Sequence, residues 1–317
     1  MADFSALEPD GAGTLSGAML ERGWMRKVLM LGLGWSCSSC VLKRAADIMT
    51  VPRRADDLAH WEQETKLKPQ RFEVVAKDGI KLSAYTLDPT PGVKKRGTAW
   101  LLHGFGNSKD QMLPVAKKLS AAGYRCVAWD SRGHGKSEGT RATFGTREVD
   151  DALRVMETAR AMPQKVKGPE VIWAYSMGTA VALQTLPQVP KAEAAVLLAP
   201  MSDLGGVMYH QARTRYSGML TPMVPVVRAK VTSAAGFDPK SIRPVDFVKR
   251  TDCKMLFIHG DKDSTIPPWQ SQLLLDQCAP GQGERILLPG VGHGGVMWDL
   301  PEETGDQAIE FLLKNSK

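Results

Sequence analysis

Cysteine is sparse in these 317 residues: Cys37, Cys40, Cys126, Cys253 and Cys278 are all there is. So few, so scattered in a long chain, exclude a disulfide scaffold. Cys37-Ser-Ser-Cys40 has the CxxC spacing of redox and zinc sites, but no second pair follows and no strand–helix unit surrounds it, so neither a metal nor an organic cofactor is expected. Long apolar runs are also missing; the amino-terminal stretch Val28 to Trp35 is too short to span a bilayer. Net charge is +7 and the isoelectric point about 9.1, yet no basic block with interleaved aromatics occurs, which argues against nucleic acid as a partner. No internal repeat is visible. What remains is ordinary globular composition, 43% hydrophobic and 24% charged, sufficient for one sizeable core.

The amino-terminal 42 residues have a separate character. Arg22, Arg26 and Lys27 precede the apolar run, and Ser36-Cys37-Ser38-Ser39-Cys40 closes it. A basic region, a short apolar core and small residues at its end describe an export signal. A cysteine at such a boundary resembles a bacterial lipoprotein signal, which implies export and membrane anchoring through Cys37 or Cys40. The alternative is a cytoplasmic protein with an apolar amino-terminal helix. Residues 43–70 are charged, contain Pro52, and read as a linker with a helical portion.

From Arg71 the pattern changes. Phe72–Ala76 and Ile80–Tyr85 alternate apolar and polar about Asp78-Gly79, a hairpin signal. Short apolar runs then alternate with helical stretches: Thr98–Leu102, Arg125–Trp129, Val171–Tyr175, Ala194–Leu198, Met255–Ile258 and Arg285–Leu288. Such runs suit parallel strands buried on both faces, and the alternation predicts a three-layer α/β fold. Helix boundaries are marked by Ser108-Lys-Asp-Gln111 as a capping box, by Gly123 and Pro163 as stops, and by Pro301 opening a last helix.

Val171-Ile-Trp-Ala-Tyr175-Ser176-Met177-Gly178 runs a buried strand into a serine and then into a helix-forming stretch. A serine on so sharp a turn is exposed for nucleophilic attack, and it demands small neighbours two positions away. Gly178 meets that demand, with Ala174 on the other side. By itself the motif reads equally well as a turn with an incidental serine. Of the six histidines, His60 lies in the linker, His103 and His259 end strands, His134 lies in Asp130-Ser-Arg-Gly-His-Gly-Lys-Ser137, and His210 is in an insertion. Only His293 occupies a glycine-rich loop after the last strand. Two carboxylates, Asp261 and Asp263, follow the strand ending at His259.

Taken together, His103-Gly-Phe-Gly, Asp130-Ser-Arg-Gly-His-Gly-Lys-Ser, Ser176 in its turn, His259-Gly-Asp-Lys-Asp and Gly292-His293 resemble an α/β-hydrolase across residues 71–317, most nearly the bacterial esterases and the lysophospholipase-like and monoacylglycerol-lipase-like members. The resemblance implies a mostly parallel central sheet flanked by helices, with a small lid insertion at 203–250. It implies a triad in the chain order Ser176, Asp263, His293, and an oxyanion hole from the backbone N–H groups of Phe105 and Met177. Asp263 is preferred to Asp261 because the family places its acid three positions after the glycine of His-Gly, with a proline four residues further on; Gly260 and Pro267 fit. The turn around Asp130 is structural in the family, and Arg132 and His134 are assigned no chemistry.

The expected activity is therefore cleavage of a carboxylic ester through an acyl-serine. Thioesters and amides remain open, since one triad serves all three bonds, as does a catalytically inactive binding module. Residues 204–250 hold eight Lys or Arg (Arg213, Arg215, Arg228, Lys230, Lys240, Arg243, Lys249 and Arg250) against Asp238 and Asp246. They also hold Met208, Tyr209, Tyr216, Met219, Leu220 and Met223. An apolar, basic-rimmed acyl site would suit a small-molecule or lipid-like ester taken from a membrane surface. The competing reading is a solvated charged face over ordinary core. Oligomeric state has no sequence signal.

Overall fold

The computed structural model describes residues 38–52, 54, 58–215, 218–219 and 221–316. Cys37, Tyr216, Leu220 and the side chain of Arg215 lie outside them, as does the signal-like segment before Ser38. Contacts group residues 1–45 as one unit and 46–317 as another. Helix α1 (Ser38–Thr50) carries an exposed Cys40, and α2 spans Leu58–Thr65. From Ala46 onward, described residues of the stretch read as a linker are packed. Ala46 is fully buried beside Phe144 and Met177, and Trp61 packs against the sheet's second face. The difference has a local cause: Arg141 donates to Thr50 Oγ1 and to Asp47, and the Ala142 N–H donates to the Thr50 carbonyl, so the chain is tied down by partners far away in sequence.

Eight strands follow: β1 (Gln70–Val75), β2 (Lys81–Leu87), β3 (Gly97–Leu102), β4 (Tyr124–Trp129), β5 (Glu170–Tyr175), β6 (Ala192–Leu198), β7 (Lys254–Gly260) and β8 (Gly283–Leu288). Their order is β1-β2-β4-β3-β5-β6-β7-β8. The β1–β2 and β2–β4 pairs are antiparallel and the rest parallel, which is the sheet of an α/β-hydrolase. Every expected run is a strand, and Gly79, at φ +86°, sits in the β1–β2 turn.

The central strands are buried on both faces because alternate side chains feed two separate cores. Trp100, Val127, Ile172 and Leu197 face helices α4 (Glu148–Ala161) and α5 (Met177–Thr185). Ala99, Cys126, Trp173 and Val196 face α3 (Leu113–Ala121) and α10 (Glu302–Asn315). This is why those strands read as continuous apolar runs rather than alternating ones. The expected capping box of Ser108 and Gln111 is there, Gln111 Oε1 accepting the Ser108 N–H at 3.2 Å, but it opens a 3₁₀ turn that precedes α3.

Between β6 and β7 lie α6 (Leu204–Arg215) and α7 (Val224–Ala235). Helix α7 begins at Val224-Pro225 and ends on Gly236 in the left-handed conformation that stops a helix cleanly. Leu204, Val207, Val231 and Ala235 pack with Phe144 and Met177 in a third core beneath these helices. Helix α8 (Trp269–Leu275) separates β7 from β8, and the short α9 (Gly295–Trp298) follows the loop carrying His293. No helix among the described residues is long and apolar enough to cross a membrane.

Candidate active site

Six parallel strands, β3 to β8, end on the same edge of the sheet, and the chemistry-bearing residues collect there. Strand β5 delivers Ser176 and α5 starts at the next residue. Ser176 has φ +50° and ψ −117°, a conformation that costs a non-glycine residue on the order of 1–3 kcal/mol and persists only where neighbours enforce it. Its N–H donates to the Leu198 carbonyl at 2.9 Å, extending the β5–β6 ladder, and its carbonyl accepts from Thr179 Oγ1 at 2.6 Å. Gly178 has no room for a side chain: a Cβ there would lie 2.5 Å from the Leu102 carbonyl oxygen and 2.7 Å from that of His103. Ala174 is fully buried and fits.

Ser176 Oγ lies 2.9 Å from His293 Nε2, and His293 Nδ1 lies 2.7 Å from Asp263 Oδ2. The other carboxylate oxygen, Oδ1, accepts the backbone N–H groups of Thr265 and Ile266, both at 2.8 Å. Burial opposes the charge on Asp263, but hydrogen bonds from His259 and His293 outweigh it and hold the carboxyl well below the usual range. An ionised Asp263 only accepts, so Nδ1 of His293 carries the proton and Nε2 is bare toward the serine hydroxyl.

Asp261 occupies a different place. Its Oδ1 accepts the Gly290 N–H at 2.7 Å, pinning the turn that begins the His293 loop. The Lys262 N–H donates to the Val291 carbonyl at 3.0 Å, and a Cβ on Gly260 would meet that same oxygen at 2.1 Å. The end of β7 and the histidine loop are thus built against each other.

Phe105 sits in the turn after β3. Asn107 N–H donates to Gly104 carbonyl at 3.2 Å and Gly106 has φ +75°, the pattern of a type II turn. A Cβ on Gly104 would lie 2.8 Å from the Tyr175 ring, so this turn is pressed against the residue before Ser176. Met177 is the first residue of α5, and its N–H is one of the donors that a helix leaves without an intrahelical partner.

Four features were not read from the sequence. His259 is fully buried, with Nε2 2.9 Å from the Ile266 carbonyl and 3.2 Å from Asp263 Oδ2. Tyr175 O–H donates to the His293 carbonyl at 3.2 Å. His103 donates from Nδ1 to Gly104 carbonyl at 2.7 Å and accepts the Ser131 N–H on Nε2 at 2.9 Å, so it rivets the β3 turn to the Asp130 turn. Asp130, fully buried, accepts from Lys109 N–H, Lys109 Nζ and Lys136 N–H at 2.8, 2.7 and 2.9 Å. Their only sequence signal was position: each histidine or aspartate stands at the end of a buried strand, where an unpaired polar group would be costly. Arg132 forms a fork on Asp151 and reaches Asp78, which agrees with a structural reading of that turn.

Residues 93–247 match the family described as serine aminopeptidase, S33. A monoacylglycerol lipase of Mycolicibacterium smegmatis is 25% identical over 68% of this chain and 86% of its own. A lysophosphatidylserine lipase, ABHD12 of Macaca fascicularis, is 26% identical over 58% of this chain, which spans 46% of that longer protein. Among solved structures, the Pyrococcus furiosus esterase Pf2001 superposes with a TM-score of 0.67 at 22% identity, over 84% of this chain and 97% of its own.

Proposed function

We propose that this chain, an ester hydrolase of the α/β-hydrolase fold, works through an acyl-serine on Ser176 with His293 as base and Asp263 as its acid partner. The observation that carries this reading is the unbroken relay of 2.9 Å and 2.7 Å contacts from Ser176 Oγ through His293 to Asp263.

His293 Nε2 takes the hydroxyl proton as Oγ bonds to the ester carbonyl carbon. The imidazolium so formed stays beside the charged Asp263, and the oxyanion turns toward the N–H groups of Met177 and Phe105. One such donor is typically worth about 3 kcal/mol in the transition state. The alcohol leaves with the proton from Nε2. Water, deprotonated by the same nitrogen, then releases the acid.

An apolar, lipid-like acyl group is supported by what lies beside Met177. Phe105 stacks on Phe144 at 5.8 Å, and Phe144 lies 6.3 Å from Phe237. Met201, Leu204 and Val207 pack with these rings in the apolar cluster beneath α6. The same relay serves thioesters and amides, so acyl chemistry rather than the leaving group is what the site favours.

A fluorophosphonate probe should label the wild type and leave Ser176→Ala unlabelled; equal labelling of both removes Ser176 as nucleophile. A panel of esters, thioesters and amides of rising chain length, with and without anionic vesicles, tests the substrate. Acetate esters cleaved far faster than long-chain ones, with no effect of vesicles, would refute the lipid reading. Export and anchoring remain a proposal on the sequence of the first 42 residues. Retention of Cys37→Ser/Cys40→Ser protein in the membrane fraction would refute it.

A further inference from the structure

The edge of the sheet opposite Ser176 carries a cavity of about 480 Å³. It opens where β3, β4 and β5 begin, beside the last turn of α4 and the loop that follows. Arg125, Arg160, Lys165, Lys167 and Lys191 line it, together with Trp100. Two carboxylates meet these five cations: the half-exposed Asp88 beside Arg125, and Glu170, which is already engaged. Arg160 donates to both of its oxygens and Trp100 Nε1 to Oε2 at 2.9 Å, with the Arg160 guanidinium 5.4 Å from the Trp100 ring centre. Lys165, Lys167 and Lys191 are exposed, and among the described residues none of them pairs with a carboxylate.

Arg125 is the residue that marks this cavity as a site. Its side chain is 2% exposed. Nη2 donates to the thioether sulfur of Met162 at 3.6 Å, a weak acceptor. Among the described residues Nε has no well-aligned hydrogen-bond acceptor, and its ion-pair partner is Oδ1 of the half-exposed Asp88 at 3.3 Å. A guanidinium carries five donors, and leaving a buried one so poorly satisfied is costly unless an oxyanion completes it.

We propose that this cavity is a second ligand site, which binds the phosphate group of a small organic phosphate ester. A fork-shaped guanidinium with several lysines around it matches an anion with three acceptor oxygens better than it matches a planar carboxylate. Val127, Ala159 and Val166 on the same wall give the carbon skeleton an apolar surface. The six residues of β5, at about 3.3 Å each, put Glu170 on the order of 20 Å from Ser176, so a ligand here does not touch the nucleophile.

Glycerol phosphate and inorganic phosphate, titrated into the full chain by calorimetry at constant ionic strength, test this. Glycerol phosphate should bind saturably, and more tightly than inorganic phosphate. The variant Lys165→Gln/Lys167→Gln/Lys191→Gln, altered only at exposed positions, should keep its circular dichroism and weaken binding at least about tenfold. Arg125→Met should abolish binding, and if it does not fold the lysine variant still answers. Absence of saturation, or equal affinity in the lysine variant, overturns the site. Equal binding of the two probes overturns the organic part of the ligand.

Discussion

Asp263 holds His293 with one carboxylate oxygen, 2.7 Å from Nδ1, while two backbone N–H groups occupy the other. The carboxyl is therefore fixed in rotation, and the imidazole is fixed with it.

That rigidity separates Asp263 from its neighbour. Asp263→Asn replaces an acceptor by an amide that can present an N–H to Nδ1, favouring the wrong tautomer, and should lower turnover on the order of 10⁴-fold. Asp261→Asn keeps the oxygen that accepts from Gly290 and should stay within a few-fold of wild type. Steady-state kinetics on a soluble ester decides; a collapse of Asp261→Asn with an active Asp263→Asn would reverse the assignment.

The elbow tolerates change on one side only. Gly178→Val forces a side chain into the carbonyls of Leu102 and His103 and should abolish activity, with a lowered melting temperature. Ala174→Gly should remain active and lose roughly 1 kcal/mol, the usual cost of glycine within a regular element. Urea unfolding and ester turnover measured on both variants check the contrast, and an inactive Ala174→Gly would contradict it.

Asp130 and Lys109 form a buried ion pair at 2.7 Å, with side chains 0% and 1% exposed. Asp130→Asn leaves the buried ammonium only Asp110, 3.5 Å away, as its countercharge and should cost about 3 kcal/mol. Lys109→Met/Asp110→Asn/Asp130→Asn should be less destabilised than the single variant, because the ammonium is removed along with both carboxylates that face it. Equal or additive losses in urea unfolding would mean that the pair contributes little as a pair.

Two buried histidines should make the fold acid-sensitive. Burial pushes the His103 imidazole down from its ordinary 6.5, and burial together with His103 pushes His134 down to about 3. Between these values the unfolded chain takes up protons that the folded chain refuses. Stability is therefore full above pH 6.5 and falls as pH drops toward 3, by at most about 1.4 kcal/mol per pH unit for each histidine. Unfolding free energies from pH 7.5 to 4.5 should show this slope, reduced in His134→Asn. Stability that rises on acidification would contradict it.

The sequence by itself determined the strands, their parallel character and the turn that presents Ser176, since these depend on local pattern: apolar runs that can only be buried, glycines where no side chain fits, a serine between strand and helix. It also narrowed the histidine to His293, the one carried by a loop after the last strand. Tertiary structure decided what depends on approach between distant segments. Asp261 and Asp263 stand two residues apart and are chemically identical, and only the fold of the Gly290–His293 loop gives one to a backbone N–H and the other to an imidazole. The packing of Ala46, Asp47, Thr50 and Trp61 was hidden for the same reason, as their partners lie near Arg141 and on the sheet. The cluster of Arg125 with Lys165, Lys167 and Lys191 was equally illegible, because four cations separated along the chain meet only when parallel strands align their starting ends. Local sterics act between neighbours in sequence and can be read there; burial and charge act between neighbours in space, which the chain acquires on folding.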